Sequence, residues 1–340
     1  MIKILSVQNP NRVAKSSILR LYIALKENGK KVNFLCIGND IFHRILDKNK
    51  TKKERFLWQS FCNFSYWYFP GLIPINKIDI TLSRIWAKSY IKQLKLEPNE
   101  NKVLIIAEAG PSSIIVRELL LKYKNLKVHY RINDQINSFR VPSAYVAESH
   151  ERILGSLNSN ITISAPAPMP NKKVLHIPPG VDFINRSLNL QKNILYWGVY
   201  PIAKHHLQSL LRYFHDYKVQ YTGSIDHKVE GTEFLGFLSP SDLSNRISTV
   251  SLGVMIFPDD RFDWWLWSNK MLLMQSLNIP IIGMLKESGD NIFDIYPNMT
   301  SIFEEHGFVR HQEIECSKNK TFEFYDWNIF TKKIIGDHTV

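Results

Sequence analysis

The chain reads as an α/β protein made of two open, parallel-sheet domains, and three observations carry that expectation. Short apolar runs alternate with stretches of helical period along the whole chain, which is the rhythm of β-α-β units. A length of 340 residues exceeds one ordinary α/β core and suits two domains of roughly 150 residues each. The proline-rich run Ala165–Lys173 (APAPMPNKK) interrupts the alternation near the middle, where a boundary belongs. The expected domains are 1–172 and 173–307, with 308–340 as a separate C-terminal segment.

Taken in order, Ile2–Val7 is a first strand, Ser16–Asn28 a helix with Ile18, Leu19, Tyr22, Ile23 and Leu25 apolar, and Lys31–Ile37 the next strand. A nicotinamide-binding domain would place a glycine-rich fingerprint in the first turn. No glycine lies between Val7 and Gly29, which argues against that class. Asp47–Arg55 (DKNKTKKER) is strongly basic and is followed by Phe56, Leu57, Trp58, Phe61, Phe64, Tyr66, Trp67, Tyr68 and Phe69. Two readings stand: a patch that docks on anionic headgroups, with Trp58 and Trp67 at the interface, or a core helix with a solvated flank.

Lys77–Leu96 is helical and Lys102–Ala107 is a buried strand ending at Glu108. Ser112 and Ser113 are candidate caps for the next helix. Lys127–Ile132 is a strand, and Asn133 and Asp134 follow it directly. Asp134 caps the next turn, or it is a base that takes a proton from an attacking hydroxyl; the residues alone leave both open. Glu108 is a candidate contact for acceptor hydroxyls, or a charge favourable at a helix start. Val146–Leu157 is helical and Asn160–Ser164 is a strand.

In the second half, Asn193–Gly198 is a strand ending in glycine. A turn through Val199 and Tyr200 leads to Lys204 and a helix bearing Leu207, Leu210, Leu211 and Phe214. Val219–Thr222 and Phe234–Phe237 are strands, Ser239–Thr249 a helix and Leu252–Phe257 a strand. The stretch Ser268, Asn269, Lys270 then opens a helix that Asn278 ends before the apolar run Ile279–Gly283. A lysine at a helix start, beside free N–H groups and the positive end of the helix dipole, makes a seat for a phosphate. Lys204 is a second such cation just past a strand's carboxyl end, where open α/β sheets place ligands. His205 and His206 assist the phosphates or cap the helix; Trp264, Trp265 and Trp267 stack on a ligand or pack.

With 43 Lys and Arg against 31 Asp and Glu the net charge is +12, which suits nucleic acid, an anionic membrane or phosphorylated substrates. The reading from another class is a nucleic-acid-binding protein that uses the basic, aromatic segment Lys48–Phe69; against it, no nucleic-acid motif is present and the lysines spread over both halves. Cys36, Cys62 and Cys316 are odd in number and lack ligand spacing, which fits a reducing compartment. Met1–Val7 reads as a strand, without the charged start and apolar run of a leader, and no uncharged run is long enough to span a bilayer. The acidic cluster Asp259, Asp260 and Asp263 reads as sugar contacts or surface, and no metal is expected.

Ile177–Asp182 (IPPGVD), Leu195–Lys204 (LYWGVYPIAK), Tyr221–Gly223 (YTG), Phe234–Gly236 (FLG) and Lys270–Gly283 (KMLLMQSLNIPIIG) resemble the GT-B glycosyltransferases. That resemblance implies two Rossmann-like domains facing a cleft. The N-terminal one binds acceptor and the C-terminal one a nucleotide sugar, and the last helix, around Trp327, crosses back to the N-terminal domain. Tyr130–Asp134 (YRIND) looks like the strand end of the xanthan-type glucuronosyltransferases, which implies that Asp134 is the general base of an inverting transfer. Lys270 would then bind the donor diphosphate, with Ser268, Asn269, Lys204, Tyr200 and Gly198 around it.

Val199 stands where many retaining members carry arginine, and Leu273 where they carry glutamate and the xanthan-type relatives glutamine. The implied protein is a metal-independent enzyme with a UDP-sugar co-substrate and a lipid-linked saccharide acceptor. It would work on the inner, anionic face of the cytoplasmic membrane in capsule or exopolysaccharide synthesis, and would bind no nucleic acid. A retaining transferase or an epimerase of the same fold is the alternative.

Overall fold

Strands covered on both faces must be apolar throughout, and the sequence supplies such runs: IKILS, LIIAE and VSLGVMIF each fold as a strand of a parallel sheet. The structure is a computed structural model that describes residues 1–6, 17–36, 76–96, 103–109, 112–133, 144–157, 160–169, 173–182, 184, 190–197, 202–223, 225–257, 265–310 and 326–336. The chain forms two compact units, Met1–Pro178 with Trp327–Val340, and Pro179–Asp326.

The first unit contains β1 (Ile2–Ser6), α1 (Ser17–Glu27), β2 (Val32–Cys36), α2 (Asn76–Gln93), β3 (Leu104–Glu108), α3 (Ser112–Lys122), β4 (Lys127–Arg131), α4 (Ala144–Leu157), β5 (Ile161–Ala165) and β6 (Leu175–His176). All pairings are parallel, in the order β2-β1-β3-β4-β5-β6. The order reverses between β1 and β3, so the switch point lies at the ends of those two strands. Ile4, Leu5, Ile105, Ile106 and Val128 form the sheet's buried centre, covered by Ile114, Ile115 and Leu119 of α3.

The second unit contains β7 (Gln191–Tyr196), α5 (Lys204–Tyr213), β8 (Lys218–Tyr221), β9 (Thr232–Phe234), α6 (Pro240–Thr249), β10 (Val250–Phe257), α7 (Asn269–Ser276) and β11 (Ile281–Leu285), then the short helices α8 (Ile292–Ile295) and α9 (Thr300–Glu305). Its sheet is also parallel, in the order β11-β10-β7-β8-β9, with the reversal between β7 and β10. A final helix, α10 (Trp327–Ile335), belongs to the first unit, where Phe330, Thr331, Ile334 and Ile335 are buried and Asn28 donates to Asn328 Oδ1 at 3.0 Å.

The unit boundary falls at Pro178 and not at the proline-rich run, because β6 pairs with β5 after that run and keeps 175–176 in the first sheet. Residues 308–309 stay with the second unit, since Phe308 bridges Ile281 and the Val309 amide donates to Ile281 O at 3.0 Å. The expected strand 234–237 is confined to Thr232–Phe234, because Gly236 turns the chain at φ +63°. Ser112 does not cap α3: it is already helical, and its hydroxyl donates back to the Glu108 carbonyl.

Candidate functional site

In the second unit the switch point is built around Lys270. Ser268 is the N-cap of α7, in extended conformation, with its Oγ accepting from the Met271 amide at 3.3 Å. Asn269 and Lys270 are the first two helical residues. Beyond them Met271, Leu272, Met274 and Gln275 are buried, so the helix is anchored by its apolar side and presents its N-terminus to the strand ends. The C-terminus is equally defined: Asn278 takes φ +50°, its amide donates to Gln275 O at 2.9 Å, and the Ile279 amide donates to Met274 O at 2.9 Å. That pair of bonds is a Schellman stop, and it turns the chain directly into β11. Gly253 on β10 lets α7 lie close, since a Cβ there would stand 2.2 Å from Met274 Sδ.

Lys270 itself folds back over the sheet. Its ammonium donates to Val254 O at 2.5 Å and lies 4.3 Å from the ring centre of Tyr196 and 4.9 Å from that of Trp197. The strand register places Val254 level with Tyr196, the last residue of β7. Burial pushes the ammonium well below the usual lysine range. No carboxylate among the described residues pairs with it. It is an enclosed cation with one carbonyl and two ring faces for company, at the place where an open α/β sheet receives its ligand.

Lys204 opens α5 from the end of β7 and is exposed, without a hydrogen bond or ion pair to a described residue. The work of capping falls to His206: its Nδ1 accepts from the Ala203 amide at 3.2 Å, and its Nε2 lies 2.9 Å from Leu285 O. A carbonyl only accepts, so Nε2 carries the proton and the ring is neutral. Burial holds its pKa below the usual histidine value, and the stacked His205 ring, 4.1 Å away, adds to that. His206 thus braces the helix start. Trp265 and Trp267 are half-buried and pack on the apolar core around Met271 and Phe303. Gly198, Tyr200 and Trp264 lie outside the described residues.

In the first unit the switch point is built around Glu108, the last residue of β3, level with Ser6 at the end of β1. Its Oε2 accepts from Ser6 Oγ, and its Oε1 accepts from Asn133 Nδ2 at 2.7 Å. Asn133 Oδ1 in turn accepts from Arg131 Nε at 3.2 Å. Arg131 is 2% exposed. Its Nη1 donates to Ile177 O at 2.6 Å and to Ser164 Oγ at 3.3 Å, its guanidinium stands 5.3 Å from the ring centre of Phe330, and Nη2 is buried with no partner. Burial lowers this guanidinium to about 9, so it stays protonated at neutral pH. Asp134, Trp58 and Trp67 lie outside the described residues.

Each switch point therefore carries charged groups at carboxyl strand ends, a carboxylate in the first unit and a lysine in the second. Sequence reasoning named both charges, Glu108 and Lys270. It missed Ser6, Asn133 and Arg131 as Glu108's company, although the polar residues ending the apolar runs of β1 and β4 were the available signal. No family model matches the chain, and no curated protein matches it in sequence.

Solved structures do match. A UDP-GlcNAc 2-epimerase from Neisseria meningitidis, bound to UDP-GlcNAc, aligns over 98% of this chain and 98% of its own at 10% identity and TM-score 0.52. MurG of Acinetobacter baumannii aligns over 98% and 94% at 11% identity and TM-score 0.50. A trehalose-6-phosphate protein from E. coli, bound with UDP-2-fluoro glucose, aligns over 99% of both chains at 10% identity and TM-score 0.51. The fold is GT-B. The GT-B match spans both parallel-sheet units and includes the helix that returns to the first.

Proposed function

We propose that this chain is a glycosyltransferase that moves a sugar from a UDP-linked donor to a hydroxyl of a lipid-linked saccharide. The observation that carries the proposal is Lys270. An enclosed ammonium that pairs with no carboxylate among the described residues, at a GT-B switch point and a helix N-terminus, has the charge and place to receive the donor diphosphate. Breaking the sugar–phosphate bond leaves growing negative charge on the departing diphosphate. A fixed cation at the positive end of a helix dipole stabilises that charge as it develops. Lys204, Ser268 and Asn269 flank the same strand ends, and Gly198 and Tyr200 complete the donor set. Asp134, after the YRIN strand end, takes the proton of the attacking hydroxyl, which makes the transfer inverting. The first unit takes the acceptor and the second the nucleotide sugar.

Two further parts of the proposal are the setting and the donor chemistry. The basic, aromatic segment Lys48–Phe69, with Trp58 and Trp67, docks the protein on the anionic inner face of the cytoplasmic membrane, where a lipid-linked acceptor for capsule or exopolysaccharide resides. Among the described residues no helix is long and apolar enough to cross a bilayer, so the proposed attachment is peripheral. The donor is a hexosyl or glucuronosyl nucleotide. Turnover is expected to survive chelation of divalent metal, with Lys270 carrying the diphosphate.

The test has two steps. UDP-sugars are screened for the rise in melting temperature each produces, and the best binder is then used to assay transfer or hydrolysis. A folded Asp134→Asn variant should lose at least about 100-fold in kcat, the scale of general base catalysis; full turnover by that variant would sink the base assignment. The likeness to a UDP-GlcNAc 2-epimerase favours one second reading, epimerisation of a UDP-sugar. An epimerised UDP-sugar formed without any acceptor would establish it in place of transfer.

A further inference from the structure

We propose that Asn133 is a positioning residue: its carboxamide locks the exit of β4, one residue before Asp134, between Glu108 of β3 and Arg131 of β4. The assignment rests on the role proposed above for Asp134. It gives a purpose to two residues of the YRIND run that the transfer chemistry itself does not use.

The chemistry of the three groups permits one arrangement. Glu108 accepts on both oxygens and Arg131 only donates, so a bridging side chain must donate on one side and accept on the other. Asn133 does both, with Nδ2 to Glu108 Oε1 at 2.7 Å and Oδ1 from Arg131 Nε at 3.2 Å. An aspartate could not donate to Glu108, and an apolar residue could do neither. The bridge is held from both ends. Glu108 is fixed by Ser6, and Arg131 by Ile177 O, Ser164 Oγ and the Phe330 ring. The backbone beside it is tied in as well, through the Ala109 amide to Arg131 O at 2.7 Å and the Ile132 amide to Ser164 O at 2.8 Å.

The network thus runs along the carboxyl ends of β1, β3, β4 and β5 and ends on α10. Both chain crossings between the units are touched within the first one, at Ile177 before the boundary and at Phe330 after the return. Glu108 acts through Asn133, since two of its acceptor positions are already filled by its own chain. A base must be held to within a fraction of an ångström, and a misplacement of about 1 Å costs on the order of 100-fold in rate.

The experiment compares Asn133→Ala, Asn133→Asp, Glu108→Gln and Asp134→Asn in the full chain, with the UDP-sugar that raises the melting temperature most. Asn133→Ala and Asn133→Asp should each lower kcat by about 10- to 100-fold and leave the donor KM within about twofold. Glu108→Gln, which keeps an oxygen for Asn133 Nδ2, should keep a melting temperature close to wild type. A second readout needs no substrate: amide exchange at Ala109 and Ile132 should quicken in Asn133→Ala. Asn133→Ser replaces the alanine variant if that one fails to fold. Full kcat in Asn133→Ala beside a dead Asp134→Asn overturns the positioning role and leaves the transfer reading standing. Unchanged exchange at both amides overturns it too. Full turnover in Asp134→Asn instead removes the base, and the positioning role with it.

Discussion

Replacing Lys270 with methionine separates stability from binding, because the two should move in opposite directions. In the unliganded protein the ammonium is enclosed, with one carbonyl at 2.5 Å and two aromatic faces at 4.3 and 4.9 Å, and no carboxylate among the described residues pairs with it. The ring contacts return about 0.5–2 kcal/mol each. Desolvation of an ion in real proteins costs several kcal/mol. Methionine keeps the length of the stem and the packing on Tyr196 and Trp197 while removing the charge. Lys270→Met should therefore leave the unliganded protein as stable as wild type or up to about 2 kcal/mol more stable, a gain of a few degrees in Tm.

The proposed donor should reverse the balance. A hydrogen bond to a charged group is worth about 1.5–3 kcal/mol, so the variant should bind UDP-sugar about 10- to 150-fold more weakly. Thermal and urea unfolding with and without UDP-sugar reads both quantities in one series. A folded variant that loses more than about 1 kcal/mol without ligand, yet keeps the full ligand-induced shift, refutes the account of Lys270. The pH dependence carries the same sign. A lysine whose folded pKa is depressed binds fewer protons folded than unfolded, so its contribution should rise with pH up to the ordinary value of about 10.4 and be lost as pH falls.

Gly253→Ala should cost about 1–3 kcal/mol by overpacking Met274, and Met274→Ala in the same chain should recover part of it in a double-mutant cycle read by urea unfolding. Asn278→Ala should cost about 1–2 kcal/mol because φ is +50°, whereas Asn278→Gly should be tolerated, by the same measurement. His206 has its pKa lowered mainly by burial, so the protein should lose stability as pH falls below about 6.5, where the unfolded histidine takes up a proton that the folded one resists. His206→Gln, which keeps an acceptor for the Ala203 amide, should flatten that slope; an unchanged slope assigns it to other groups.

The sequence was most legible where one local rule decided the outcome. Asn278 was readable as the end of α7 because few residues enter the left-handed region cheaply, and the Schellman bonds follow from that conformation. The strands of both sheets were readable because burial on two faces demands continuous apolar runs, as in Leu104–Glu108 and Val250–Phe257. Boundaries were less legible. Proline enrichment at 165–173 marks a turn, but whether the chain then leaves its sheet depends on β6 pairing with β5, a long-range hydrogen bond that no local composition encodes.

Lys270 and Glu108 illustrate a deeper limit. Both were visible as charges at strand ends, and the open sheet explains why such charges face a ligand. What each charge does depends on groups distant in sequence: Val254, Tyr196 and Trp197 for the lysine, Ser6, Asn133 and Arg131 for the carboxylate. The two sites solve the burial of charge differently. Glu108 is met by donors and linked to Arg131 through a neutral amide, which suits the first unit's site to holding a geometry. Among the described residues Lys270 meets a carbonyl and two ring faces and no carboxylate, which suits the second unit's site to receiving negative charge. Structural support in the first unit and electrostatic demand in the second fit the transfer from a diphosphate proposed above. It also predicts that phosphate-bearing ligands stabilise the second unit more than variants of the first unit's network can disturb it.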